Sequence, residues 1–235
     1  MPKPAQDDYR RYPKSMRGTP EEVLEWEQEM RDGLWDLGDD ERFWRDLQPL
    51  LHERGYRLRH RYQTGWTPSW TGTNIHPINF EDSWGTLMPG VIDARKADGS
   101  VVAIKWIPPQ EHTRGELSIL HFLSSDALRN DPRNHCLQLL DSFDHPTIPG
   151  GVFIVTPWLL SLVSVPVRYV NDVVDFMLQT FEGLAFMHAH GVAHRDCTGR
   201  NIMVDATSLL PTHPAISPYP LIFPAGKYLG KLLRT

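Results

Sequence analysis

Between Gly90 and Val204 the apolar residues alternate between a spacing of two and a spacing of three or four, and this alternation limits the folds open to the chain. Gly90–Lys96 and Ser100–Ile107 are Val/Ile-rich and flank Ala97-Asp98-Gly99, and an Asp-Gly turn between two such segments predicts a β-hairpin. A helix is expected over Glu111–Ser124, with Leu117, Leu120, His121 and Ser124 on one face and Ile119 and Phe122 near it. Leu137–Phe143 and Gly151–Pro157 read as two more strands, separated by the turn-rich Asp144–Gly150. Val170–His190 reads as a long amphipathic helix, capped at Asn171-Asp172 and carrying Val173, Phe176, Met177, Thr180, Phe181, Leu184 and Met187. The order is strand, strand, helix, strand, strand, helix, and the fold class expected is α+β.

Two more helices are expected upstream. Thr19 or Ser15 can open one from Pro20 to about Leu34, with Glu21 and Glu22 facing its exposed amides. The other begins at Asp39 or Asp40 and carries Phe43, Trp44, Leu47 and Leu51 to Gly55, with Pro49 as a point where it can kink. Tyr56–Trp84 is rich in arginine and aromatic residues and is broken by Gly65, Pro68, Gly72 and Pro77, so turns and short extended pieces are expected. Its cluster Arg57, Arg59, His60, Arg61 and Tyr62 reads as solvated strand residues rather than as a phosphate or nucleic-acid patch.

Charge and composition exclude several classes. With 24 basic and 29 acidic residues the net charge is −5, so no positive field attracts nucleic acid or anionic lipid. Cys136 and Cys197 give neither a disulfide framework nor a metal-binding spacing, and a reducing, intracellular setting, cytoplasmic or nuclear, is the expectation. His188, His190 and His194 lack the further ligands that a zinc site needs. The start, Met1–Arg17, is polar with Pro2, Pro4 and Pro13, and reads as a flexible tail without a signal peptide or anchor. The longest apolar run, Val152–Val170, is interrupted by Pro157, Ser161, Ser164, Pro166 and Arg168, so a buried strand with its exit turn is expected there and not a membrane span. Pro211, Pro214, Pro218, Pro220 and Pro224 exclude a regular helix in the last segment, and Gly226–Thr235 is short and basic.

Chemistry concentrates in two strings. Val101-Val102-Ala103-Ile104-Lys105 ends a predicted strand on an ammonium group, and Glu116 sits in the following helix, where its carboxylate can hold that ammonium against phosphate oxygens. His194-Arg195-Asp196-Cys197-Thr198-Gly199-Arg200-Asn201 follows the long helix and precedes the apolar Ile202-Met203-Val204. The second string resembles the catalytic loop of eukaryotic protein kinases, H-R-D then four residues then N. The first is similar to their V-A-I-K strand with its helix glutamate. The resemblance narrows to kinase-like proteins of mushroom-forming fungi, which share a Trp/Arg/Tyr-rich N-terminal segment and a phrase like Phe122–Asp126 to Asp131–Cys136. The chain is similar to them from Glu21 onward and departs in its tail.

That resemblance implies a two-lobed fold: a tail at 1–18, a helical and irregular extension at 19–84, and a small lobe with an antiparallel sheet and one helix at 85–160. The start of an incomplete helical large lobe with the catalytic loop follows at 161–205, then a divergent proline-rich tail at 206–235. It implies ATP as ligand and phosphoryl transfer to a protein hydroxyl, more in the manner of a serine/threonine kinase, with no nucleic-acid or membrane partner. Lys105 and Glu116 would then serve the phosphates, Asp196 would receive or orient the substrate hydroxyl, and Asn201 would hold Mg2+.

Two departures accompany the likeness. A G-x-G-x-x-G loop is replaced by Trp84-Gly85-Thr86-Leu87-Met88-Pro89-Gly90-Val91, in which Gly85 and Gly90 permit close backbone approach to a nucleotide but Pro89 removes an amide donor. The D-F-G carboxylate that would hold the second side of the metal is missing, because Asp205 is the last acid in the chain. The alternative expectation is therefore a catalytically inactive pseudokinase or truncated product that binds a protein through the Glu21–Leu51 helices or an exposed lobe remnant. A small-molecule kinase of similar fold is a third reading, against which the H-R-D string argues.

Overall fold

The computed structural model describes residues 16–86, 88–109, 114–161 and 169–205. The expectations for Ser15, the N-terminal tail, Glu111–Thr113, the Ser164–Arg168 turn and the proline-rich tail fall outside them. The chain is mixed α+β with a small antiparallel sheet and divides into two compact units, Met1–Ser100 and Val101–Thr235.

In the first unit, α1 (Pro20–Arg31) opens with the reciprocal bonds of a capping box. Thr19 N–H donates to Glu22 Oε2 at 2.7 Å, and Glu22 N–H donates to Thr19 Oγ1 at 3.3 Å. The helix ends short of Leu34 because Gly33 adopts φ 79°, a left-handed conformation in which the Leu34 amide turns back to the Glu29 carbonyl. α2 (Asp39–Glu53) runs through Pro49 without ending there and buries Glu41, Trp44, Leu47 and Leu51. Tyr56–Trp84 is irregular, as its turn residues predict, with single 3-10 turns at His60–Tyr62, Pro77–Asn79 and Glu81–Ser83. It is nonetheless a core: Trp70, Ile75 and Phe80 are buried together, with Met30, Trp35 and Trp66 packed against them.

Within the arginine cluster, Arg57 is exposed on a bridge to Arg95, as a solvated strand residue would be, but Arg59, Arg61 and Tyr62 correct the sequence reading. Arg61 is almost wholly buried and places all of its donors: Nε and Nη2 on the two oxygens of Glu41 at 2.6 and 2.9 Å, and the rest on the carbonyls of Trp35, Asp36 and Asp82. Arg59 reaches Asp93 at 2.9 Å and the carbonyls of Trp84 and Gly85 at 2.8 and 3.2 Å. For Arg61, bidentate guanidinium–carboxylate geometry with every proton placed is what allows the charge to leave water. Burial pulls the Glu41 carboxyl upward, but its bonds to Arg61 and Gly38 outweigh this and hold it below its ordinary value. β1 (Val91–Arg95) bridges Arg57 and leads into the expected Asp-Gly turn, where Lys96 N–H donates to Ser100 O and Gly99 has φ 85°.

In the second unit, β2 (Val101–Ile107) pairs antiparallel with β4 (Val152–Pro157), which pairs on its other side with β3 (Asp141–Asp144). α3 (Arg114–Leu123) lays Leu117 and Leu120 on Ile107, Leu139 and Ile154. β3 is shorter than the expected Leu137–Phe143 because the Leu139 amide is taken by the Ser124 hydroxyl at 2.8 Å instead of by a neighbouring strand. Gly151 has no side chain because a Cβ there would lie 2.0 Å from the Trp106 ring. β5 (Leu160–Ser161) pairs with β6 (Met203–Val204), and between them in sequence lies α4 (Val170–Ala189). α4 starts before the expected cap: Asp172 is its third residue and accepts from the Tyr169 amide at 3.0 Å. Among the described residues, no helix is long and apolar enough to cross a membrane.

Candidate functional site

The sheet register explains where Lys105 points. Along β2, Val102 and Ile104 are buried on one face, so Lys105 emerges on the other, the face on which Ile107 packs against α3, and it stands opposite Ile154 of β4. Its Nζ lies 2.6 Å from Oε1 of Glu116, in the first turn of α3, so the sequence pairing of these two residues is formed. Both side chains are more than 40% exposed. A pair so open to solvent contributes only about 0–1 kcal/mol to folding, so it is no structural staple.

The loop between α4 and β6 is built by its own hydrogen bonds. Thr198 N–H donates to Asp196 O at 3.0 Å, Asn201 N–H to Thr198 O at 2.9 Å, and Ile202 N–H to Thr198 O at 3.1 Å. Arg195 has φ 65° and is the one non-glycine residue with positive φ among those described, a conformation that costs about 1–3 kcal/mol. Within this loop Asn201 Nδ2 donates to both the main-chain oxygen and Oδ2 of Asp196, at 2.9 and 2.7 Å. His194 accepts the Asp196 amide through Nδ1 at 3.3 Å and so shapes the turn. Asp196 and Asn201 are thus brought together, as Lys105 and Glu116 are, while among the described residues no hydrogen bond joins one pair to the other.

Gly85 and Gly90 lie in the first unit. Gly85 packs on the Glu41 carboxylate, where a Cβ would sit 3.0 Å from Oε1, and its carbonyl is held by Arg59. Gly90 takes φ 75° at the entrance to β1. A groove of about 340 Å³ is also in that unit, between α1 and residues 70–75, and is lined by Trp26, Met30 and Trp70. Cys136 is half-buried, with burial raising its thiol, and Cys197 is exposed; both are free thiols. Among the described residues, no group of three or more His, Cys, Asp or Glu side chains is arranged to hold a metal.

Sequence reasoning missed the buried ionic cluster of Arg59, Arg61, Glu41, Glu81 and Asp93. Its sequence signal was the placement of the arginines between Tyr56, Leu58 and Tyr62, large residues that are themselves buried.

No family model matches the chain. Over 130 residues, 49% of this chain and 25% of the relative, it is 30% identical to a protein of Oryza sativa subsp. japonica named cyclin-dependent kinase F-1. The chain therefore spans about a quarter of the length of that relative.

Proposed function

We propose that the second unit is a nucleotide-binding, protein-kinase-like module that takes ATP with Mg2+ and presents a carboxylate to a protein hydroxyl. The carrying observation is that the two residue pairs of the kinase-like strings make short side-chain contacts, Lys105–Glu116 at 2.6 Å and Asn201–Asp196 at 2.7 Å. The similarity to a protein named as a kinase supports the same reading. Glu116 holds the Lys105 ammonium at the surface of the sheet as a compact positive charge suited to phosphate oxygens. Asn201 spends its amide protons on Asp196, which leaves Asn201 Oδ1 and Asp196 Oδ1 without hydrogen-bond partners among the described residues. Those are hard oxygen donors of the kind Mg2+ accepts, so the residues fit the ion, with Asn201 as its holder. Mg2+, when bound, would neutralise charge on the triphosphate. The Asp196 carboxylate is fixed by Asn201 and can receive the hydroxyl proton of a substrate.

A second reading, binding without transfer, is favoured by the absence of Asp and Glu from residues 206–235. Titration of the full chain with a fluorescent ATP analogue and Mg2+ tests both. Binding is expected in the wild type, weakened about 10–100-fold by Lys105→Met, which removes a charge-assisted contact. Absence of binding to the folded wild type refutes the nucleotide reading. Binding with no phosphate transfer, equal to that of Asp196→Asn, selects the non-catalytic form.

A further inference from the structure

The helix α4 presents its apolar residues to solvent. Its buried residues, Asp172, Gly183 and Phe186, share one face, along which Gly183 lies against His135. At 3.6 residues per turn Val170, Val173, Val174, Met177, Leu178 and Phe181 fall on the opposite face as one stripe. Val170 is 78%, Leu178 61% and Phe181 59% exposed. The stripe covers roughly 17 Å of helix at 1.5 Å per residue. A contiguous apolar surface of that kind marks a binding face. Asp175 and Glu182, seven residues apart and both exposed, lie together along one edge.

We propose that the occupant of this stripe is the chain's own residues 206–235. Three observations commit the face to that segment. The first is tethering: β6 ends at Val204 and is paired with β5 inside the same unit, so the segment leaves from the unit that carries α4. A 20-residue helix is about 30 Å long, which roughly ten extended residues span, so the segment reaches the whole stripe and binds as an intramolecular ligand. The second is composition: the segment carries Leu221, Ile222, Phe223, Leu229, Leu232 and Leu233, apolar side chains that can be set against the stripe. The third is sign. The segment has no Asp or Glu and carries Lys227, Lys231 and Arg234, opposite in sign to the exposed Asp175 and to Glu182, which also meets His135 Nε2 at 2.8 Å. A second copy of α4 packed antiparallel would set that acidic edge against itself.

The full chain with Leu178→p-benzoylphenylalanine tests the assignment. On irradiation, the monomer is expected to give an internal adduct whose tryptic peptides map to residues 206–235. The same photoreactive group at Asp126, an exposed position off the stripe, gives none. Reversing the sign of Lys227, Lys231 and Arg234 to glutamate lowers the adduct yield, and adding Asp175→Lys with Glu182→Lys restores it, a rescue that general unfolding cannot mimic. Cross-linked dimers overturn the proposal in favour of a second copy. Loss of the adduct together with co-sedimentation on phosphatidylserine vesicles overturns it in favour of a basic segment bound to a membrane surface, and absence of any adduct to residues 206–235 overturns it outright. None of these readouts depends on nucleotide, so the assignment stands or falls apart from the ATP reading.

Discussion

Glu81 is the residue whose replacement tests the electrostatics of the first unit most directly. Its carboxylate lies 3.6 Å from Arg59, but that guanidinium is already committed to Asp93 at 2.9 Å. Burial pushes the Glu81 carboxyl up from 4.5 to about 7; Arg59 opposes the rise, Asp93 and Asp82 add to it, and Arg95 opposes it in turn. Below about pH 4.5 the group is protonated whether the chain is folded or not, and it then carries no burial penalty. As the pH rises toward about 7 the unfolded chain ionises first, so folding loses stability across that window, and above it the loss is complete. A rise from 4.5 to about 7 corresponds to about 3 kcal/mol at most. The side chain is one-third exposed, 33%, and solvent screening reduces the expected effect to about 1–2 kcal/mol.

Glu81→Gln keeps the shape and removes the titration. Urea unfolding of both proteins from about pH 5 to about pH 8 should show the variant gaining about 1–2 kcal/mol on the wild type as the pH rises, with most of the change below pH 7. A difference between the two proteins that is the same at both ends of that range refutes the reasoning. So does one that changes in the opposite direction.

Arg61→Met strands the Glu41 carboxylate in the interior and should cost about 3–5 kcal/mol in urea unfolding, and Glu41→Gln added to it should recover part of the loss. If the single variant unfolds like the wild type, the buried pair is not formed. Ser124→Ala leaves the Leu139 amide without its partner and should cost about 1–3 kcal/mol, with faster hydrogen exchange at that amide; unchanged exchange would mean that the hydroxyl does not hold it.

What could be read in the sequence was local. Thr19 and Glu22 specify the start of α1, Asp98-Gly99 the turn after β1, and the alternation of Val102, Ile104 and Lys105 the two faces of β2, because each depends on residues within one turn or one strand. The pairing of Lys105 with Glu116 was expected too, the partners lying eleven residues apart on a strand and the helix that follows it, whereas the bond from Asn201 to Asp196 was not. Tertiary structure decided what depends on distant partners. Arg61 looked like a solvent-facing cation until Glu41, twenty residues earlier, supplied the carboxylate that lets it be buried. Leu139 fell outside β3 because Ser124, fifteen residues away, took its amide. Sequence spacing sets the periodicity of a face, but whether that face meets core, solvent or an opposite charge is fixed only when distant segments pack. The exposed apolar stripe of α4 shows this, its pattern alone having predicted an amphipathic helix without saying what it meets.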